Sequence, residues 1–171
     1  MVDMDLIILG VLQGMPMHGY QLKRQIEASF GKRFFNMSNS KLYPKLAKLE
    51  ADGFIKSHRE QQEKVPDRKV YSITEAGRKR LHDLVVQPMG PGESFNDFLA
   101  HAVFFGLLTK EERRNFIMPM LEATEKELKD TLAKHDQFSK YMDKYSLLVL
   151  NNGIEDIRRF IALFRQLLEM E

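Results

Sequence analysis

The chain has no cysteine and no tryptophan. Without thiols it can form neither a disulfide framework nor a thiolate zinc or iron-sulfur site, which fits a reducing compartment and makes the cytoplasm the expected location. It also lacks any apolar run near the roughly 20 residues that a membrane span requires. Asp3 and Asp5 stand where a secretory signal carries basic residues, so no membrane partner is expected. Catalytic signatures are missing too. His18, His58, His82, His101 and His135 show no i, i+4 metal pair, and neither a glycine-rich phosphate loop nor a serine nucleophile elbow is present. The expectation is therefore a protein that is not an enzyme and carries no cofactor or metal.

Charge is plentiful but uneven. Up to Val86 there are 15 Lys and Arg against 10 Asp and Glu, and beyond it 11 against 14, so a segment of +5 precedes one of −3. A polyanion would meet the first. At 171 residues the chain can bury a core without covalent help.

Periodicity and punctuation divide the chain. Met4 to Gln13 is apolar with helical spacing and stops at Gly14-Met15-Pro16. A second helix is predicted from His18 to Ser29, with Tyr20, Leu22, Ile26 and Phe30 on one stripe and Gly31 at its end. After a loop at 32–37, Ser38 stands at an N-cap position, and Leu42, Leu46 and Leu49 recur at intervals of four and three until Asp52-Gly53. Residues 54–59 and 68–73 read as two short strands joined by a polar loop, and Thr74 caps a fourth helix to about Val86. Three helices followed by a hairpin is the order of a winged helix-turn-helix.

The stretch 87–93 holds two prolines and two glycines and is the predicted linker, which sets domains at 1–86 and 94–171. The second domain is helical throughout. A short apolar helix starts at Ser94, a capping box opens at Thr109-Lys110-Glu111-Glu112, and a long helix kinked by Pro119 runs to about Lys144. The last helix spans Leu147 to Met170, with an interruption expected near Asn151-Asn152-Gly153. The fold class is mainly α with a small β-hairpin: a winged helix-turn-helix followed by an α-helical dimerisation domain.

The third helix and the hairpin carry the functional signal. A helix that enters a DNA major groove needs an apolar edge to hold it on its domain and an opposite edge of donors. Ser38, Asn39, Ser40, Lys41, Tyr43, Lys45 and Lys48 supply that second edge. Lys56, His58, Arg59, Lys64, Arg68 and Lys69 place six basic-type residues on a hairpin with little apolar content, as suits a wing lying along or in the adjacent minor groove. The competing reading is a winged helix turned protein-interaction scaffold, whose basic face is only solvated.

Three separated segments resemble the PadR family of bacterial transcriptional regulators. They are His18-Gly19-Tyr20-Gln21-Leu22; Leu42-Tyr43-Pro44-Lys45-Leu46 with Leu49-Glu50 and Gly53-Phe54-Ile55; and Arg68-Lys69-Val70-Tyr71-Ser72-Ile73-Thr74-Glu75-Ala76-Gly77. The resemblance covers roughly residues 4–86. It implies a sequence-specific DNA-binding regulator, most commonly a repressor, whose C-terminal helices embrace a partner subunit. Two segments depart from the family: Ser38-Asn39-Ser40-Lys41 replaces the usual Ser-x-Gly-Ser/Thr, and Val65-Pro66 the usual Gly-Pro. Both lie on the expected DNA surface, where Lys41 offers a contact that most relatives lack.

The last helix carries the second signal. Leu150, Ile154, Ile157, Ile161, Phe164 and Leu168 are spaced by four, three, four, three and four, an a/d pattern over more than two heptads. Leu147, Leu148, Phe160 and Leu167 widen the stripe beyond what one neighbouring helix covers, which predicts a homodimer rather than burial within one subunit. Two winged helices about a twofold axis reach half-sites about one helical turn, roughly 34 Å, apart, so the expected partner is double-stranded DNA bearing an inverted repeat. The resemblance also implies that some members release DNA on binding a phenolic acid or other planar compound. Phe95, Phe98, His101, Phe104 and Phe105 are the candidate contacts for such a small aromatic ligand, against the plainer expectation that a phenylalanine stripe is core.

Overall fold

A computed structural model describes residues 3–31, 38–62, 65–90 and 94–170, of which 61, 62 and 65–67 by backbone alone. The chain forms two compact units, Met1–Leu108 and Thr109–Glu171.

In the first unit, α1 (Met4–Leu12), α2 (Gly19–Phe30), α3 (Asn39–Ala51) and α4 (Glu75–Val86) surround a three-stranded sheet, and α5 (Phe95–Ala102) completes it. Leu6, Ile7, Ile8 and Leu9 of α1 are all fully buried. A helix enclosed at consecutive positions is a core element rather than an amphipathic cover. Leu22 and Ile26 of α2, Leu42, Leu46 and Leu49 of α3, and Leu81, Leu84 and Val85 of α4 complete the buried set. Each such side chain is worth about 1.5–3 kcal/mol of burial.

The sheet is antiparallel in the order β1-β3-β2, with β1 at Met17–His18, β2 at Ile55–Gln62 and β3 at Val65–Ile73. Sequence reading finds only two strands, because Met17 and His18 are too few for a period to show. They pair with Tyr71 and Val70, which stitches the turn between α1 and α2 to the hairpin. The hairpin strands are also longer than expected: pairing continues to Gln62 with Val65, past an irregularity between Glu60 and Gln62.

The division between units falls at Leu108 and Thr109, not in the 87–93 stretch, because α5 packs into the first unit. A Cβ at Gly10 would stand 2.2 Å from the Phe104 ring, Phe104 lies 6.3 Å from Phe30, and His101 Nδ1 is 3.5 Å from the Val85 carbonyl oxygen. The aromatics considered for a ligand serve this packing. Phe98 and Phe105 are buried and meet edge to face at 5.9 Å, Phe95 stacks on Phe98 at 5.6 Å, and only Phe95, His101 and Phe104 keep partial exposure.

The second unit is an antiparallel hairpin of α6 (Lys110–Phe138) and α7 (Lys144–Glu169), pinned by Arg165 to Glu125 at 2.7 Å. Thr109 caps α6 as expected: its hydroxyl accepts the Glu112 N–H at 3.2 Å and Glu112 accepts the Thr109 N–H at 2.8 Å. The helix runs unbroken through Pro119, since Asn115, whose carbonyl the proline cannot serve, is exposed to water. It ends at Phe138, short of Lys144, and a single 3-10 turn leads to Asp143. Asp143 caps α7 by accepting from Tyr145 and Ser146 N–H at 2.8 and 3.1 Å. Its carboxyl is held below the usual carboxylate range, first by the Ser146 hydroxyl and then by these N–H groups.

No interruption appears in α7, which passes through Asn151, Asn152 and Gly153. The Asn152 amide donates to the Leu148 carbonyl at 2.8 Å, and one helical glycine costs only about 1 kcal/mol. Of the heptad residues, Ile154, Ile161 and Phe164 are buried by the chain itself, while Leu150, Ile157 and Leu168 are half-buried. Half of the expected pairing stripe is thus spent inside the subunit. No helix among the described residues is long and apolar enough to cross a membrane.

Candidate nucleic-acid interface

The sequence segments that looked like separate motifs are two physical joints. In the first, Gly19 lies beneath the ring of Tyr43, and a Cβ there would come within 2.9 Å of Tyr43 Cε1. Only glycine lets α3 settle this closely on the start of α2. In the second, Gly53 (φ 77°) ends α3, with the Phe54 N–H returning to the Leu49 carbonyl at 2.9 Å and the Gly53 N–H to that of Glu50 at 3.1 Å. Thr74 then donates to the Gly53 carbonyl at 2.7 Å while its hydroxyl accepts the Gly77 N–H at 3.0 Å. Gly77 has no room for a side chain, because a Cβ would stand 2.0 Å from the Phe54 carbonyl oxygen. These joints fix α3 and the hairpin on one frame.

Along α3 the exposed surface has three tracks. Ser40, Pro44, Ala47 and Ala51, spaced by four, three and four, form a central row of small residues opposite Leu42, Leu46 and Leu49. Pro44 lacks the N–H that the Ser40 carbonyl would otherwise receive, which leaves that acceptor outside the helical ladder. Lys41 and Lys48 are exposed along one shoulder, and Tyr43, 45% exposed, stands on the other. A low centre between a lysine shoulder and an aromatic one is a relief that would let backbone and short polar groups approach base edges while the cations meet phosphates.

Not every residue assigned to DNA from sequence is equally placed. Lys45 Nζ is 2.7 Å from Asp5 Oδ1, so its charge serves the fold. Lys69 Nζ lies 3.4 Å from Glu50 Oε2, and the side-chain Oδ1 of Asn39 accepts from Lys23 Nζ at 3.2 Å. Ser38 occupies the N-cap position of α3, but its hydroxyl pairs with that of Ser40 at 2.8 Å. In the hairpin, Lys56, His58, Arg59, Arg68 and Lys69 sit on paired strands rather than a loop, and Lys64 lies outside the described residues. The pleat then splits them. Lys56 and His58, with Arg68 opposite Glu60, project to one face, whereas Arg59 and Lys69, opposite each other, project to the face shared with Ile55 and Ile73.

Sequence reasoning missed two parts of this surface. A cleft of about 460 Å³ opens where Tyr20 and Gln21 at the start of α2 face Tyr43, Arg68 and Lys69, with Gly19 and Tyr71 also lining it. Tyr20 is 65% exposed, with the Arg24 guanidinium 5.9 Å from its ring centroid. The signal in the sequence is His18-Gly19-Tyr20-Gln21, at the start of the second helix. The second is Glu50, which accepts from the Ser57 hydroxyl at 2.5 Å. That bond, with Lys69 adding to it against the effect of burial, holds the Glu50 carboxyl below the usual range. Burial and the charge of Glu50 push the Tyr71 hydroxyl up. Among the described residues no group of three or more His, Asp or Glu is placed to hold a metal ion.

Negative transcriptional regulator PadR of Bacillus subtilis is 24% identical over 172 residues, spanning 95% of this chain and 94% of that protein. The crystal structure of Bacillus subtilis PadR in complex with operator DNA covers 96% of this chain and 94% of its own at 23% identity and TM-score 0.48. The structure of the same protein in complex with p-coumaric acid covers 96% and 95% at 24% identity and TM-score 0.43. The model of the transcriptional regulator PadR-like family matches residues 8–83, the stretch that holds both joints and the hairpin. Over those residues the chain belongs to the PadR-like family of transcriptional regulators.

Proposed function

We propose that the chain is a cytoplasmic, sequence-specific DNA-binding transcriptional regulator that acts as a homodimeric repressor on an inverted-repeat operator. In this reading the winged helix within the first unit binds DNA and the α6–α7 hairpin of the second holds the partner. The observation that carries it is the low row Ser40, Pro44, Ala47 and Ala51 of α3, bordered by Lys41 and Lys48 and set beside a basic hairpin. A solvated face needs no such relief. The test is selection of bound fragments from the source genome, followed by affinity measured across a salt series. Affinity should fall steeply with salt, because neutralised phosphates release counterions. A flat salt response, or selection of no fragment, sinks the reading in favour of an interaction scaffold.

The dimer rests on apolar surface that one chain leaves open. Tyr145, Leu148 and Val149 of α7 are 60 to 72% exposed, and two grooves of about 310 and 510 Å³ run between α6 and α7 past Ile154 and Ile161. A helix from a second copy would cover both. Repression is the simplest outcome of occupying a promoter, and a reporter driven by the selected fragment should rise when the gene is deleted. Release by a small aromatic ligand would use Phe95, His101 and Phe104, the cluster members that are not sealed in the core. A thermal-shift screen of phenolic acids that gives no stabilisation removes this part.

A further inference from the structure

Side chains hold the hairpin from both faces of the sheet. Toward α3, Glu50 accepts from Ser57 Oγ on β2 at 2.5 Å and from Lys69 Nζ on β3 at 3.4 Å. Ser57 pairs across the sheet with Tyr71, and Arg59 with Lys69, so one face of the pleat brings both donors to the last turn of α3. On the opposite face His18 Nε2 lies 3.2 Å from Glu60 Oε2, and His18 Nδ1 is 3.4 Å from the Lys69 carbonyl oxygen.

An exposed ion pair contributes little by itself. Glu50 differs, because one carboxylate joins two strands to the helix, and the side chain is about two-thirds buried, with 32% of its surface exposed. Among the described side chains, apolar anchoring of the hairpin lies at its base and the middle of β3, at Ile55, Val70, Tyr71 and Ile73. Beyond the base, polar ties are what remain to fix its angle.

We propose that Glu50 is a positioning residue: through Ser57 and Lys69 it sets the angle between recognition helix and wing, so that the two meet the major groove and the adjacent minor groove in register. His18 and Glu60 brace the same hairpin from its other face. The inference rests on the DNA-binding reading above. It reassigns Lys69 from a phosphate contact to a structural partner.

The experiment uses full-length wild type, E50A, E50Q, S57A and K69M on a fragment selected from the source genome. Affinity, salt slope, hydroxyl-radical footprint and guanine-N7 methylation protection are measured for each. In E50A the flanking footprint of the wing should be lost and affinity should fall about tenfold. Protection of guanine N7 in the major groove should persist. E50Q keeps an acceptor for Ser57 and should restore most of the flanking footprint, which a generally loosened fold would not do. K69M should lower affinity without changing the salt slope. A flanking footprint in E50A identical to wild type, or a salt slope lowered by about one in K69M, overturns the proposal. If E50A does not fold, S57A keeps every charge and carries the same expectation, and an intact flanking footprint in folded S57A and K69M overturns it equally. Wild type that selects no fragment overturns the DNA-binding reading itself, whereas a wild-type footprint unchanged by these variants overturns only the role of Glu50.

Discussion

Lys45 Nζ stands 2.7 Å from Asp5 Oδ1, joining the middle of α3 to the first turn of α1. Among the described residues this buried oxygen has no hydrogen-bond partner, so the nearby Lys45 charge is what offsets its burial. A lysine that sequence reading places on DNA is thus turned inward. Lys45→Met should lower stability by about 1–3 kcal/mol, the cost of leaving a buried carboxylate oxygen without its counter-charge. A denaturant titration checks it, and the salt slope of DNA binding should stay at the wild-type value. A normal denaturation midpoint with a reduced slope would return Lys45 to the DNA surface.

Lys41, Lys48 and Arg68 are exposed beside the central row or the cleft. Lys41→Ala, Lys48→Ala and Arg68→Ala should each weaken all sequences alike and reduce the salt slope by about one. Asn39→Ala should instead relax sequence preference, since Asn39 is exposed at the first turn of α3. Fluorescence anisotropy on matched and scrambled duplexes separates the two effects. Equal losses on both duplexes for Asn39→Ala would remove it from base reading.

Two glycines should respond oppositely to alanine. At Gly77 a Cβ would stand 2.0 Å from the Phe54 carbonyl oxygen and 2.8 Å from Ile73 Cγ1, so Gly77→Ala must push backbone apart and should cost about 3 kcal/mol or more. At Gly153 a Cβ meets nothing within 4 Å and the residue lies inside α7, so Gly153→Ala should add about 0.5–1 kcal/mol. Thermal denaturation of the two variants decides both, and a neutral Gly77→Ala would disprove the close joint.

The Glu50 carboxyl is held low, foremost by the Ser57 hydroxyl. A carboxyl whose pKa is lower folded than unfolded stabilises the fold above the unfolded value, and that contribution disappears as pH falls through the folded value. Asp97 shifts the same way, its burial overcome by Ser94 N–H and O–H bonds at 2.7 and 2.8 Å. Stability followed downward through the carboxylate range should therefore decline, and decline less in E50Q than in wild type. Parallel curves for the two proteins would show that Glu50 carries no pH-linked share.

The apolar tip of the second unit gives a test of assembly. Leu148→Asp with Val149→Asp should shift the sedimenting species toward monomer while leaving helix content unchanged, because both side chains face solvent within one chain. Ile161→Asp, buried in the hairpin, should unfold it instead. A Leu148/Val149 double variant that still sediments as a dimer would move the interface elsewhere.

These cases show where sequence is informative. The helices and hairpin of the first unit were legible because Leu42, Leu46 and Leu49, or Thr74 with Gly77, follow local rules of period and capping. The two-residue β1 was not, since its pairing with β3 depends on residues far along the chain. Basic residues were legible as a class but not as individuals: Lys45 and Lys69 differ from Lys41 and Lys48 only in facing Asp5 and Glu50. The pairing stripe of α7 showed its period but not which of its residues α6 would cover. Nothing local distinguishes Ile154 from Leu150.

The short strand at Met17–His18 bears on how the protein reaches this structure. Its pairing with β3 joins Met17 to Tyr71 and His18 to Val70, 54 and 52 positions apart, with α2 and α3 enclosed in the loop. Closing such a loop costs chain entropy before any contact rewards it. The helix-turn-helix can therefore begin to form locally during synthesis, but its attachment to the wing must wait until residues near 71 have emerged. A nascent chain shorter than that carries α1 with its apolar surface uncovered, so the interval between Met17 and Tyr71 is the period in which this protein is most exposed to aggregation.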